Sequence, residues 1–194
     1  MTTTRTRKMT GTAMLAAVAT VLMFIDFSVP IMPSFIKLDV SELPALLAAF
    51  AYGPVAGVAV CLIKNVMNLL RTATGGVGEL CNFMLGVCFV LPAALLYKKK
   101  KSRISAVLGA AIGAVCMAVL SVPVNYFITY PVYANFMPLE AIVGMYQAIM
   151  PGVDGLLQCL IVFNLPFTLF KGALDALLAF LIYKPLSPIL HGRR

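Results

Sequence analysis

Two lysines lie where a lysine is costly. Lys64 and Lys171 each interrupt a run of apolar residues, and an ammonium at mid-bilayer is disfavoured by about 3 kcal/mol. Such a group snorkels to water, pairs with a carboxylate, or faces a polar pocket. Asn65, Asn68, Asn82, Asn125, Asn164 and Thr168 punctuate the same kind of stretch. A single asparagine in a membrane helix is most often glue between helices. Several at one depth are uncharged donors and acceptors suited to a neutral, flat, amide-like ligand. Asp175 follows Lys171 by four residues, one turn on along the same helical face, so the two can neutralise each other.

Other chemistry is missing from the chain. There is no GxxxxGK[ST] loop for a nucleotide, no HExxH zinc pair and no GxSxG nucleophile turn. The one histidine, His191, is in the C-terminal tail. The five cysteines (Cys61, Cys81, Cys88, Cys116 and Cys159) are odd in number, scattered through apolar runs and without a CxxC pair. They read as small buried hydrophobes, with no disulfide framework or metal site. An intramembrane enzyme or a structural scaffold is the alternative from another class, and it has no recognisable nucleophile, metal cluster or paired carboxylates behind it.

The elements that must position the polar groups are hydrophobic helices. Hydrophobic residues make up 61% and charged residues 11% of 194, against about 45–50% and 25% in soluble domains. Only a chain solvated by lipid can carry so much apolar surface. We expect an all-α membrane protein, one integral membrane domain over residues 1–194, with six transmembrane helices in a bundle near 9–29, 44–52, 55–70, 80–97, 106–130 and 156–183. Pro30 and Pro33 close the first helix, Gly53-Pro54 stops the short second one, and Pro166 kinks the last. The first apolar run is long enough to span, and no small-residue cleavage site closes it, so it reads as a retained helix rather than a signal peptide. Residues 135–151 read as amphipathic or re-entrant.

Basic residues set the orientation. Arg5, Arg7 and Lys8, the cluster Lys98–Lys101 with Arg103, and the tail with Lys184, His191, Arg193 and Arg194 all belong in the cytoplasm by the positive-inside rule. That requires even numbers of crossings between them: six in all, with N- and C-termini cytoplasmic. The 44–52 helix is too short to span unless protein shelters its ends. Loops 30–43, 71–79 and 131–155 then lie outside, and Asp26 and Asp175 fall near opposite faces, too far apart to share a proton. The net charge of +8 serves topology and anionic lipid rather than nucleic acid. On the first helix Ala13 and Ala17 form a small-xxx-small pair, which lets another helix approach closely, within the chain or from a partner. Gly57 could extend that flat surface.

Four segments carry a resemblance. LDVSELPALLAAFAYGPVAGVAVCLIKNVMNLL from Leu38, GELCNFMLG from Gly78, PVNYF from Pro123 and LPFTLFKG from Leu165 together resemble the riboflavin-specific substrate-binding (S) components of energy-coupling-factor (ECF) vitamin transporters. The resemblance covers nearly the whole chain after residue 9. It implies six membrane helices and capture of riboflavin from outside. It also implies association with a transmembrane coupling protein (EcfT-like) and two ECF ATPases, in the plasma membrane of a prokaryote. The transported riboflavin is the ligand, with no cofactor of the chain's own and no ATPase site. The implied pocket comprises Leu38, Asp39, Asn82, Asn125, Asn164, Thr168 and Lys171, with Leu38 and Phe127 covering the faces of the ring. Thr168 stands where the family motif carries an asparagine, and Asn164, one turn earlier, is placed to substitute. The implied coupling surface includes Ala13 and Ala17. A flavin mononucleotide (FMN) or another vitamin is the alternative ligand; for a phosphate, Lys37 and Arg71 are the available basic residues.

Overall fold

A computed structural model describes residues 2–33, 36–72 and 74–191, with side chains described from residue 5 to residue 183 within those ranges. Its elements are α1 (Thr2–Phe24), a two-residue hairpin of β1 (Phe27–Ser28) and β2 (Lys37–Leu38), α2 (Glu42–Tyr52), α3 (Pro54–Asn68), α4 (Val77–Lys99), α5 (Arg103–Val124), α6 (Tyr130–Tyr133), α7 (Leu139–Gln147), α8 (Leu156–Cys159) and α9 (Leu165–His191). Among the described residues, four helical stretches are long and apolar enough to cross a membrane: Pro54–Arg71, Val77–Lys99, Arg103–Tyr133 and Leu156–Tyr183. Val55, Leu70, Ile104, Val119 and Leu181 stand exposed along them, as side chains facing lipid do.

The helix limits shift from the sequence expectation at the first element. α1 begins at Thr2 and ends at Phe24, not at Met9 and Val29. The polar start costs a helix nothing when it projects into water, and the chain leaves α1 early because Asp26 is drawn into ion pairs with Lys37 and Arg71. The tail residues Arg193 and Arg194, and the side chains of Lys184 and His191, lie outside what the structure describes.

α2 is the centre of the bundle. Every residue from Glu42 to Phe50 is buried, because Ala45, Ala48 and Ala49 let α1, α3, α4 and α9 close around it. At 1.5 Å per residue it reaches about 16 Å, half a hydrocarbon core, so protein surrounds it on all sides. The turn into α3 uses Gly53 at φ 104° followed by Pro54 at the first helical position, the residue pair that ends one helix and starts the next. α4 and α5 approach backbone to backbone. Gly109 lies on the Ala93 backbone and a Cβ on Gly113 would fall 2.2 Å from the Phe89 carbonyl oxygen, so this GxxxG pair is a packing seam inside the chain. Gly57 behaves likewise: it is buried against Ala45, Ala49 and Val90. It therefore does not share the exposed stripe of α1, where Ala13 and Ala17 do stand in the open.

Two helices carry the same irregularity. Between α5 and α6, residues Asn125–Thr129 form a π turn, with the Tyr130 N–H bonded to the Asn125 carbonyl. Between α8 and α9, Leu160–Asn164 do the same, with the Leu165 N–H bonded to the Leu160 carbonyl. In both, a proline follows the turn by two residues, Pro131 and Pro166. A proline ring clashes with the carbonyl four residues back and has no N–H to offer it. The wider π turn absorbs that conflict and rotates the preceding face by an extra residue. The residues so re-aimed include Asn125 and Asn164.

Candidate functional site

Both π turns, the hairpin and the starts of α4 and α9 meet at one end of the bundle around a cavity of about 310 Å³. Asp39, Asn82, Asn125, Asn164, Thr168 and Lys171 all line it, so six of the seven expected ligand residues come together from segments far apart in sequence. Leu38 does not. It lies in β2 between Lys37 and Asp39, which do line the cavity, and alternate residues of a strand point to opposite sides. Phe127, expected to cover a ring, is 72% exposed and stands on the outside of its π turn. Met117, Leu85 and Phe167 supply the apolar wall instead.

The lysines do not do the same job. Lys64 is fully buried and absent from the cavity lining, and of the three alternatives open to it the carboxylate pairing is the one it takes. Its Nζ lies 2.6 Å from Glu42 Oε1 and donates to Ser41 Oγ at 2.6 Å. Glu42 also accepts from the Cys61 thiol at 3.6 Å. Lys171 does line the cavity, but its partner is Asp39, 2.7 Å away and 132 residues earlier, rather than Asp175 one turn below. Asp39 in turn accepts from the Ser41 N–H at 2.9 Å and from the Ser41 hydroxyl. One continuous ladder thus runs Lys171, Asp39, Ser41, Lys64, Glu42. It fastens the hairpin loop to α9 on one side and to α3 on the other. Burial pushes the Asp39 carboxyl up, but the ammonium of Lys171, helped by Lys64 and Ser41, outweighs it and holds Asp39 well below the usual carboxylate range. Asp175 is fully buried, and neither oxygen has a hydrogen-bond partner among the described residues.

The amides split between glue and lining. Asn65 donates to the Cys61 carbonyl at 2.8 Å and accepts from Asn82 Nδ2 at 3.0 Å, tying α3 to α4. Asn125 donates Nδ2 to the Ser121 carbonyl at 2.7 Å, and no hydrogen bond to its Oδ1 is described. Asn164 Oδ1 accepts from the Tyr146 hydroxyl at 2.7 Å, which shares a 2.5 Å bond with the Tyr130 hydroxyl. Tyr130, Ile142, Tyr146, Val153, Cys159 and Leu160 form a small separate core, by which α7 holds the π turn of Asn164. The sequence reading did not assign Tyr130, Tyr146 or Glu79 to the site. Glu79 lines the cavity within the GELCNF segment, and its place in a motif, on the first turn of a helix, is the signal that could have marked it. At the mouth, Asp26 binds Lys37 at 3.0 Å and Arg71 at 3.3 Å, and Arg71 also caps the Phe24 carbonyl and lies over its ring.

The chain is similar to known proteins over nearly its whole length. A family model described as ECF transporter, substrate-specific component, matches residues 7–183. The chain is 35% identical over 178 residues to the riboflavin transporter RibU of Staphylococcus aureus, covering 92% of this chain and 89% of that one. It is 32% identical over 195 residues to the riboflavin transporter FmnP of Bacillus subtilis, covering 98% and 97%. A solved S component of a bacterial ECF transporter superposes with a TM-score of 0.76 at 34% identity, covering 98% of this chain and 99% of that one.

Proposed function

The chain belongs to the family of ECF transporter substrate-specific components, and on that premise we propose that it captures riboflavin outside the cell for ATP-driven uptake. The observation that carries the reading is the convergence of Asp39, Asn82, Asn125, Asn164, Thr168 and Lys171 on one cavity. A partly apolar cavity with a few fixed polar groups suits a planar ring with amide-like edges. Asn125 Oδ1 accepts from the imide N–H of the ring. Lys171, paired with Asp39, donates to a ring carbonyl, and Leu85, Met117 and Phe167 cover the ring faces. The relatives named riboflavin transporters support the choice of ligand.

The remaining parts of the proposal follow from charge and shape. The chain crosses a prokaryotic plasma membrane six times, with α2 as the sheltered short crossing and both termini in the cytoplasm. The cavity end faces out. The exposed α1 stripe of Ala13 and Ala17 meets a transmembrane coupling protein, and two ATPases supply the energy that this chain has no site to provide. Purified full-length protein should be yellow or quench flavin fluorescence on titration with riboflavin. Absence of any flavin binding by folded protein would overturn the reading.

A further inference from the structure

The mouth of the cavity holds a carboxylate that the ring contacts leave unused. Glu79 lines the cavity and is 7% exposed. Its Oε1 accepts from Asn68 Nδ2 at 3.1 Å, and its Oε2 accepts from the hydroxyls of Thr72 at 2.9 Å and Thr74 at 3.2 Å. Those hydroxyls are themselves fixed: Thr72 Oγ1 accepts from the N–H groups of Thr74 and Gly76, and Thr74 Oγ1 from that of Gly78. Neutral donors therefore orient Glu79, and among the described residues no lysine or arginine pairs with it.

Besides Lys171, which is paired with Asp39, two cations line the cavity, and exposure decides which charge a ligand meets. Lys37 and Arg71 both pair with the single carboxylate of Asp26, and their side chains are 43% and 42% exposed. Water and salt screen them, whereas a buried charge keeps its field. A carboxylate only accepts, and has about four lone-pair sites for the three donors Glu79 already holds. One more donor fits there.

Building on the riboflavin reading, we propose that Glu79 sets the ligand's charge class. It accepts a hydroxyl from an uncharged polyol chain and rejects a phosphate ester of that chain. The phosphate brings only acceptors and a charge of about −1.5 to −2 near pH 7. Glu79 is thus a specificity determinant, while the asparagines and Lys171 hold the ring.

Fluorescence titration of the purified full-length chain with riboflavin, riboflavin 5′-phosphate and lumiflavin (the ring without its chain) tests this. The wild type should prefer riboflavin over its phosphate by at least about tenfold, and Glu79→Gln should narrow that ratio by about tenfold. Lumiflavin should bind the two proteins alike. A ratio unchanged by Glu79→Gln, with riboflavin still bound, overturns the role of Glu79 and leaves the ligand reading intact. No riboflavin binding to folded wild type overturns the ligand reading itself. Should Glu79→Gln fail to fold, the wild type alone carries the test through riboflavin 5′-acetate, a neutral ester. Acetate bound more than about tenfold tighter than phosphate supports a charge filter, and equal rejection of both esters shows a size limit and overturns it.

Discussion

At the cavity end, Asp26, Asp39, Glu42 and Glu79 each accept from named side chains, and the Asp39–Glu42 ladder joins the hairpin loop, α2, α3 and α9. At the opposite end, α1 starts and α2, α4 and the described side chains of α9 finish. There Gly11 lies under the Tyr52 ring, and Phe50 packs on Tyr97 at 5.0 Å, Tyr183 at 6.1 Å and Phe180 at 6.3 Å. The basic run Lys98–Lys101 closes that end. The difference is one of directionality. A side chain moved out of the ladder leaves a buried charge without its partner, so the cavity end has one favoured arrangement. Apolar faces such as the exposed stripe of α1 can meet and leave a partner without orphaning a polar group. A directional cavity end joined to a smooth outer face suits the capture and docking proposed above.

The largest break in this comparison should come from the ladder. Lys64→Met leaves Glu42 buried without its cation, and losing one partner of a buried pair costs about 3–5 kcal/mol. Thermal unfolding in detergent should show the drop, and Lys64→Met with Glu42→Leu should recover most of it. Wild-type stability in the single variant would mean that the ladder does not hold the cavity end together. Next comes the docking face. Ala17→Trp should cut riboflavin uptake by cells at least about tenfold while purified protein binds riboflavin as before. Normal uptake would remove α1 from the coupling surface. Asn125→Ala should weaken riboflavin binding about tenfold, the worth of one hydrogen bond in a dry site, with unfolding unchanged. An equal loss in both assays would make Asn125 glue rather than lining.

How far the sequence showed this arrangement differs between neighbouring residues. The four long apolar helices were legible because their period and length are local properties. So was the shelter needed by α2. The partner of Lys171 was not. The sequence offers Asp175 one turn away, but the ammonium goes to Asp39, 132 residues earlier. Helical spacing shows which groups can meet and not which competitor a distant loop delivers. Leu38 was misplaced for a related reason: its neighbours Lys37 and Asp39 face the cavity, and the β-pleat turns Leu38 away. Pro166 was readable as a kink, but the π turns before Pro131 and Pro166, and hence the final aim of Asn125 and Asn164, depend on how each helix resolves the clash. Glu79 stayed hidden because one acidic residue beside a loop is usually solvated, and only the fold wraps Asn68, Thr72 and Thr74 around it.

The smallest expected effect is a flat line. Asp39 is held well below the usual carboxylate range, with Lys171 as its ion-pair partner. A carboxyl depressed in the folded state contributes stability that is complete above its unfolded value, about 3.9, and is lost as pH falls through its folded value. For Asp39 that loss lies in strong acid, so the pair stays intact through neutral and mildly acidic solution. Riboflavin affinity should therefore change by less than about twofold between about pH 5.5 and 8. Asp39→Asn removes the charge altogether and should lower affinity at every pH in that window. A wild-type affinity that fell about tenfold toward the acid end would show that a group titrating near its ordinary value governs binding. The ladder would then be scaffolding at the cavity end, and not part of the grip on the ligand.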